Sequence, residues 1–400
     1  MKNTMKIAVA FLAVFMVSCA EDDTSDIIIN ATTTHNTTNN NGSENTSTSE
    51  TIYLSGTYVE DLSLEATNTY ILNGALVMAS GTVLTIAPGT VIKALAAGSD
   101  IYVAIAQGAK INAIGTVSNP IVFTSDAAAP KAGDWGGLIL LGKAPINSVT
   151  GGDLTSTSEI GALPYGGAFV ADNSGVLKYV RVEYSGGKAD GQSENNGFSF
   201  YGVGNGTTVS YIQMFEGLDD GIEFFGGTVN VDFLSVVNAQ DDSIDWTEGF
   251  SGNITNAYVK HGVNHDKGIE ADGFNTDIGN NSNPLYFSAP TVSNVTIVGL
   301  GASEGGEAVR LRAGTQGVFT NFKIIGFKEG FDLDGDATTS PTGQGVVDGL
   351  LKVIDITFTD ITLKMKNDTG FTFTEATFIS GDGNGTGTDY ATWGAGWTVE

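Results

Sequence analysis

Six short segments in the second half of the chain repeat one pattern, and that repeat narrows the fold more than anything else in the sequence. Phe198, Ile222, Ile244, Ile269, Val309 and Phe331 are spaced by 24, 22, 25, 40 and 22 residues. Two residues further on stand Phe200, Phe224, Trp246, Ala271, Leu311 and Leu333, again all apolar, and just before the first set stand Gly197, Gly221, Ser243, Gly268, Ala308 and Gly330, all small. Alternation with period two marks a strand with these rows turned inward. A unit of about 22 residues is too short for a helix-bearing crossover between parallel strands, yet it suits one coil of a β-solenoid. The single gap of 40 residues predicts a loop within residues 275–290. The high glycine count of 54 against 8 prolines suits many tight turns between short strands.

The same register sorts the polar residues. Between the inward rows lies an outward row, Ser199, Glu223, Asp245, Glu270, Arg310 and Asp332, and beside it Tyr201, Phe225, Thr247, Asp272, Arg312 and Asp334. Row neighbours in such a stack are about 4.8 Å apart. Arg310 is then expected between Glu270 and Asp332, and Arg312 between Asp272 and Asp334, a charge ladder suited to guanidinium forks. Glu223 and Asp245 have no arginine beside them, and the preceding turns add Asp219-Asp220 and Asp241-Asp242. Six carboxylates on two coils repel one another by roughly 1 kcal/mol per pair in water, and by more where water is partly excluded. A hard divalent cation relieves this, and Ca²⁺ accepts several oxygens in flexible geometry. Asp219, Asp220, Glu223, Asp241, Asp242 and Asp245 are therefore the candidate metal ligands, the alternative being an acidic turn facing water. A further row, Ser210, Asp232, Asn256, Asn294 and Asn321, precedes the next β-run in each coil and reads as turn chemistry with amide stacking.

Other features carry less. Asp332-Leu333-Asp334-Gly335-Asp336 lacks the acid at position twelve that a calcium loop needs, and residues 382–389 read as a surface turn. His261 and His265 lack a third ligand and read as a surface turn. There is no phosphate-binding glycine loop and no locally supported Ser-His-Asp set. Tyr201, Tyr211 and Phe225 could stack on sugar rings, whereas Trp246 falls on an inward row. Three runs, 353–358, 361–365 and 371–378, read as further strands, and Trp393 to Trp397 as a cover for an open sheet edge.

The N-terminus has a different character. Lys2 and Lys6 precede the apolar run Ile7 to Val17, which is too short to span a bilayer and reads as a signal segment, residues 1–18. Residues 19–50, rich in Thr, Asn and Ser, read as a flexible tether, with residues 51–400 as the folded domain and its C-terminal cap. The chain's one cysteine, Cys19, excludes an internal disulfide. Removing the signal takes two lysines away, so the formal charge of −27 becomes −29. Nucleic acid and anionic headgroups are excluded as partners by that charge, while cations and basic partners are favoured.

Three resemblances add to this reading. Met16-Val17-Ser18-Cys19 resembles a bacterial lipobox with Cys19 as the acylated residue, and Ala20-Glu21-Asp22-Asp23 resembles the export tag of surface lipoproteins in Bacteroidetes-type bacteria. That resemblance implies a lipid-anchored outer-membrane protein facing the cell exterior. The runs 81–92, 108–116 and 119–125, with Gly133-Asp134-Trp135-Gly136-Gly137-Leu138-Ile139-Leu140-Leu141-Gly142, resemble rungs of pectin-lyase-like exported proteins. This implies an all-β, right-handed, single-stranded parallel β-helix with about 22–25 residues per coil. Two functions are then expected in order. The first is a monomeric surface lipoprotein binding a glycan, a cation or a partner protein on its acidic face. The second is a Ca²⁺-dependent lyase or hydrolase of acidic polysaccharide, with Glu223, Asp241, Asp242, Asp245 and Arg310 as its chemistry. The polygalacturonase elements Gly-His-Gly and Arg-Ile-Lys are missing, and an arginine neutralised by its neighbours makes a poor base.

Overall fold

The computed structural model describes residues 49–147, 154–189, 194–276, 284–335 and 342–400. The expected signal segment, Cys19 and the tether up to residue 48 lie outside the described residues. The first strand is Thr51–Tyr58. Among the described residues, 22 strands join one parallel sheet, and a two-stranded hairpin, Thr155–Thr157 with Pro164–Gly166, stands apart. The chain is a right-handed parallel β-helix.

The repeat is the coil. Phe198 pairs with Ile222, Ile222 with Ile244, Ile244 with Ile269, Ile269 with Val309 and Val309 with Phe331. The row two residues on stacks likewise, and both rows are fully buried in one continuous core. The earlier runs stack in the same way, Val83–Ile86 on Lys110–Ile114 and Val91–Ala94 on Ile121–Ser125. The row of small residues has a steric cause. A Cβ on Gly221 would meet Val236 Cγ1 at 2.4 Å, and one on Gly268 would meet Ile297 Cγ2 at 2.6 Å, because the opposite wall of the coil presses in there. The long spacing of 40 residues is an insertion after Ile269–Asp272 and before Thr291–Val298; the middle of the expected loop, residues 277–283, lies outside the described residues.

Four successive coils from Phe198 have a four-residue strand followed by a longer, bent one, for example Ile222–Phe225 and then Asn230–Ala239. The bend is a single residue in the left-handed region. Tyr179, Tyr211, Phe233, Asn256, Asn294, Asn321 and Asp355 occupy it in successive coils, with φ between 51° and 58°. This corrects the expected turn row: Ser210 and Asp232 stand one residue before the bend, which aromatic residues occupy in those coils. The row is held from coil to coil, by stacked rings in its first part (Tyr179–Tyr211 4.5 Å, Tyr211–Phe233 4.2 Å) and by amides after it. Asn256 donates to Asp232 at 2.8 Å, Asn294 to Asn256 at 3.2 Å and Asn321 to Asn294 at 2.9 Å. A left-handed residue with a side chain costs about 1–2 kcal/mol, which asparagine lowers and stacking offsets.

Two expectations near the C-terminus change. Residues 353–358 and 361–365 fall in one strand, Leu351–Asn367, but 371–378 is not a strand. It ends in a helical turn, Glu375–Phe378, opened by Thr374, whose backbone N–H donates to Thr377 Oγ1 at 3.4 Å, and it packs Phe378 on Phe331. The final residues do not lie over the sheet edge. They run back along the outside of the helix, where Tyr390 stacks on Tyr258 at 3.8 Å and Trp397 packs edge-on against Tyr179 and Tyr211. Arg181 donates to the Trp397 carbonyl at 2.7 Å, and Gln213 exchanges two hydrogen bonds with Val399.

Candidate functional site

The outward acidic row stacks as its spacing predicts: Ser199 on Glu223, Glu223 on Asp245, Asp245 on Glu270, Glu270 on Arg310, Arg310 on Asp332, with Lys366 next in line. After Ser199 its first part is therefore all acid, and its last part alternates in sign. The acidic part forms the floor of a cavity of about 580 Å³ lined by Asp219, Asp220, Glu223, Asp241, Asp242 and Asp245. All six expected ligands thus converge. Carboxylate oxygens of Asp220, Glu223 and Asp245 lie within 4.8 Å of one another, as do those of Asp242, Asp245 and Glu270, and of Asp220, Asp241 and Asp242.

The turn aspartates do two jobs. Asp220 Oδ1 accepts the backbone N–H of Asp242 at 2.9 Å, and Asp242 Oδ1 accepts that of Lys267 at 2.7 Å, so each fixes the turn of the next coil. Lys267 completes this row with an ammonium 3.0 Å from Glu270. Asp219 is held by Lys188 at 3.2 Å, and Lys188 also meets Glu194 at 2.9 Å and Asp241 at 3.6 Å. Asp245 Oδ1 and Asp219 Oδ2 are buried without a hydrogen-bond partner. Buried polar atoms of this kind are costly unless something supplies the missing contact.

The crowding shows in the protonation of these groups. Burial, then Asp245 and Asp242, push the Asp220 carboxyl well above the ordinary range. Burial, then Asp245 and Glu159, raise Glu223, against a hydrogen bond from Asn196 at 2.7 Å. Asp242 is raised by burial and Glu270 and restrained by Lys267, and Asp245 is raised by burial, Glu270 and Asp242 and restrained by Arg312. Asp219 is pushed up to about 8 by burial and Glu194 despite Lys188. The donor set is all oxygen, dense and under-compensated, which fits a hard cation such as Ca²⁺.

The charge ladder forms partly as expected, with Arg312 on its register neighbour Asp272, and partly along diagonals, from Arg310 to Asp334 and from Arg312 to Glu270. Arg310 pairs with Asp334 instead of Glu270 or Asp332. Arg312 bridges Glu270 and Asp272, both at 2.5 Å. Asp332 is taken by Lys366 at 3.2 Å. A guanidinium on a long stem reaches the diagonal neighbour as easily as the direct one. Both arginines are held more firmly protonated by these carboxylates, although burial opposes it.

The aromatic platform is corrected. Tyr201 and Phe225 line the cavity but are buried, stacked on each other at 4.0 Å, and Tyr211 lies between Tyr179 and Phe233 under Trp397. Trp246 is in the core as expected. His261 is not on the surface: it is 3% exposed, stacked on His265 at 4.4 Å, and burial lowers its pKa to about 3. Asp382, in the expected C-terminal turn, pairs with Lys364.

Several wall residues have no repeat to announce them. Glu159, Glu194 and Asn196 lie outside the repeated strands, and the hairpin brings Tyr165 to donate to Glu248 at 2.8 Å. Glu248 did leave a trace. Gly202, Gly226, Glu248 and Ala313 all close their strands in the left-handed region, so an acid stands where glycine is the easy choice. Such a departure is often a mark of a site.

A model of the pectate-lyase-like β-helix domain matches residues 56–398. The chain belongs to that family. No curated protein matches the sequence. Among solved structures, the catalytic unit of a thermostable GH87 alpha-1,3-glucanase from Streptomyces thermodiastaticus strain HF3-3 is similar at 9% identity and a TM-score of 0.40. The match covers 86% of this chain and 64% of the glucanase unit. That likeness is too remote to speak for an activity.

Proposed function

We propose that the acidic cleft binds carbohydrate with the help of a hard divalent cation, Ca²⁺ being the best fit, on a β-helix displayed outside a bacterial cell through a lipid on Cys19. One observation carries the cleft reading: overlapping trios of carboxylates from successive coils each crowd within 4.8 Å, with Asp245 Oδ1 buried and unpartnered. A cation there supplies the missing contact and leaves open coordination positions for sugar hydroxyls or uronate oxygens. Without it, the stacked acids would repel an acidic glycan. The display reading rests on the lipobox-like segment alone, and fractionating cells that carry Cys19→Ala tests it: unchanged membrane association rejects the lipid.

Hydrolysis is the second reading, and the raised carboxyls favour it. Glu223, raised above the ordinary range by burial and then by Asp245, is placed to serve as a general acid, with Asp245 on the next coil as the partner carboxylate. Lyase chemistry with an arginine base is disfavoured, because Arg310 and Arg312 are both paired and more firmly protonated. Isothermal titration with oligogalacturonides and neutral oligosaccharides, each with Ca²⁺ and with EDTA, tests binding. Ca²⁺-dependent binding lost in Asp245→Asn is expected, and no binding in any arm overturns the proposal. Reducing-end release that disappears in Glu223→Gln would establish hydrolysis.

A further inference from the structure

Beyond the cleft, on the coil of the arginines and the one after it, Glu307, Glu329 and Asp332 each bring a carboxylate oxygen within 4.8 Å of the others. Glu307 and Glu329 are register partners on adjacent coils, and Asp332 lies three residues along from Glu329. Each has a buried oxygen with no hydrogen-bond partner: Oε2 of Glu307, Oε2 of Glu329 and Oδ1 of Asp332. Asp332 is 1% exposed and Glu329 is 6% exposed. None of the three lines the cleft.

The neighbouring cations reach these oxygens with one long ion pair and no hydrogen bond. Lys366 holds the other Asp332 oxygen at 3.2 Å, stands 3.9 Å from Glu329 Oε2, and is shared with Asp368 at 2.9 Å. Lys328 approaches Glu329 Oε1 at 3.3 Å from an exposed position. Arg310 is turned to Asp334, and Lys267 to Asp266 and Glu270. Among the described residues, Glu307 has no ion pair. Three oxygens without a hydrogen bond, drawn from two coils and largely shielded from water, face one another, and among the described residues their one ion-pair contact is Lys366 to Glu329 Oε2 at 3.9 Å.

We infer that Glu307, Glu329 and Asp332 form a second hard-cation site, separate from the cleft, which takes Ca²⁺ and fastens the coil of Glu307–Arg312 to that of Gly317–Leu333. All the donors are carboxylate oxygens, which disfavours a soft metal, and an irregular trio suits the flexible coordination of Ca²⁺ better than the strict octahedron of Mg²⁺. The site closes the alternating end of the charge row, whereas the cleft occupies its acidic beginning.

Calorimetric titration of the full chain with CaCl₂ after chelation tests this, with MgCl₂ as a parallel arm and Glu307→Gln, Glu329→Gln and Asp245→Asn as variants. Removing one charged ligand should weaken one binding event about tenfold or more in Glu307→Gln and in Glu329→Gln, and leave intact the event that Asp245→Asn removes. If Glu329→Gln fails to fold by circular dichroism, Glu307→Gln, half-buried at a strand start, carries the test. Unchanged Ca²⁺ binding in Glu307→Gln overturns the site, and so does wild-type binding that Asp245→Asn abolishes entirely. A wild type whose single event vanishes in Glu307→Gln supports this site while defeating the cation in the cleft.

Discussion

Asp245 concentrates the physics of the cleft in one side chain. It stacks between Glu223 and Glu270, faces Asp220 and Asp242, and leaves Oδ1 buried and unpartnered. Folding raises its pKa and those of Asp219, Asp220, Glu223 and Asp242, so the native state binds these protons more tightly than the unfolded chain does. Stability from this source is full below the ordinary carboxylate range and is lost as pH rises through the folded values, about 8 for Asp219. The chelated protein should therefore melt at falling temperature between pH 5 and pH 9, and Ca²⁺ should reverse most of the fall; a flat profile in EDTA would contradict the crowding. By the same logic Asp245→Asn should stabilise the chelated protein by about 1–3 kcal/mol, since two charges about 5 Å apart at an effective dielectric near 20 repel by roughly that much. It should also erase the cleft's Ca²⁺ response. Destabilisation in EDTA would mean that the carboxylate is structurally required.

At the scale of the coil, the inward rows, the small row and the outward acidic row were all legible, because strand alternation and a constant spacing leave one register open. Ile222 on Ile244 and Glu223 on Asp245 follow from counting. The bend was less legible. Asn256, Asn294 and Asn321 announce a left-handed residue by type, but Tyr211 and Phe233 do not, and that displaced the expected row by one residue in their coils. Counting placed Arg312 beside Asp272, but not Arg310 on Asp334 or Arg312 on Glu270, since side-chain length and not register selects the diagonal. The amide ladder makes its own prediction. Asn294→Ala loses the bonds to Asn256 and Asn321 and leaves at φ 56° a residue without asparagine's tolerance of the left-handed region, which should cost about 2–3 kcal/mol by urea denaturation, with Asn294→Gly recovering the backbone share. Equal costs for both variants would assign the whole effect to the side-chain bonds.

At the scale of the molecule, what could not be read was what does not repeat. The hairpin that brings Tyr165 against Glu248, the segment carrying Lys188 and Glu194, and the returning C-terminus join residues far apart with no fixed spacing between them. The C-terminal strap covers Tyr179, Tyr211 and Phe233, rings that would otherwise form an exposed aromatic face. Trp397→Ala should cost about 3–5 kcal/mol and raise binding of a hydrophobic dye, while leaving Ca²⁺ binding in the cleft unchanged; an unaltered melting temperature would mean that the strap is passive. The central claim is that stacking at a near-constant spacing gathers carboxylates into a cation-centred cleft. Its most direct measurement is a crystal structure determined in saturating CaCl₂. The account predicts an ion about 2.3–2.6 Å from carboxylate oxygens that include Asp245 and at least one of Asp220, Glu223 and Asp242. A cleft that holds only water under those conditions would contradict it.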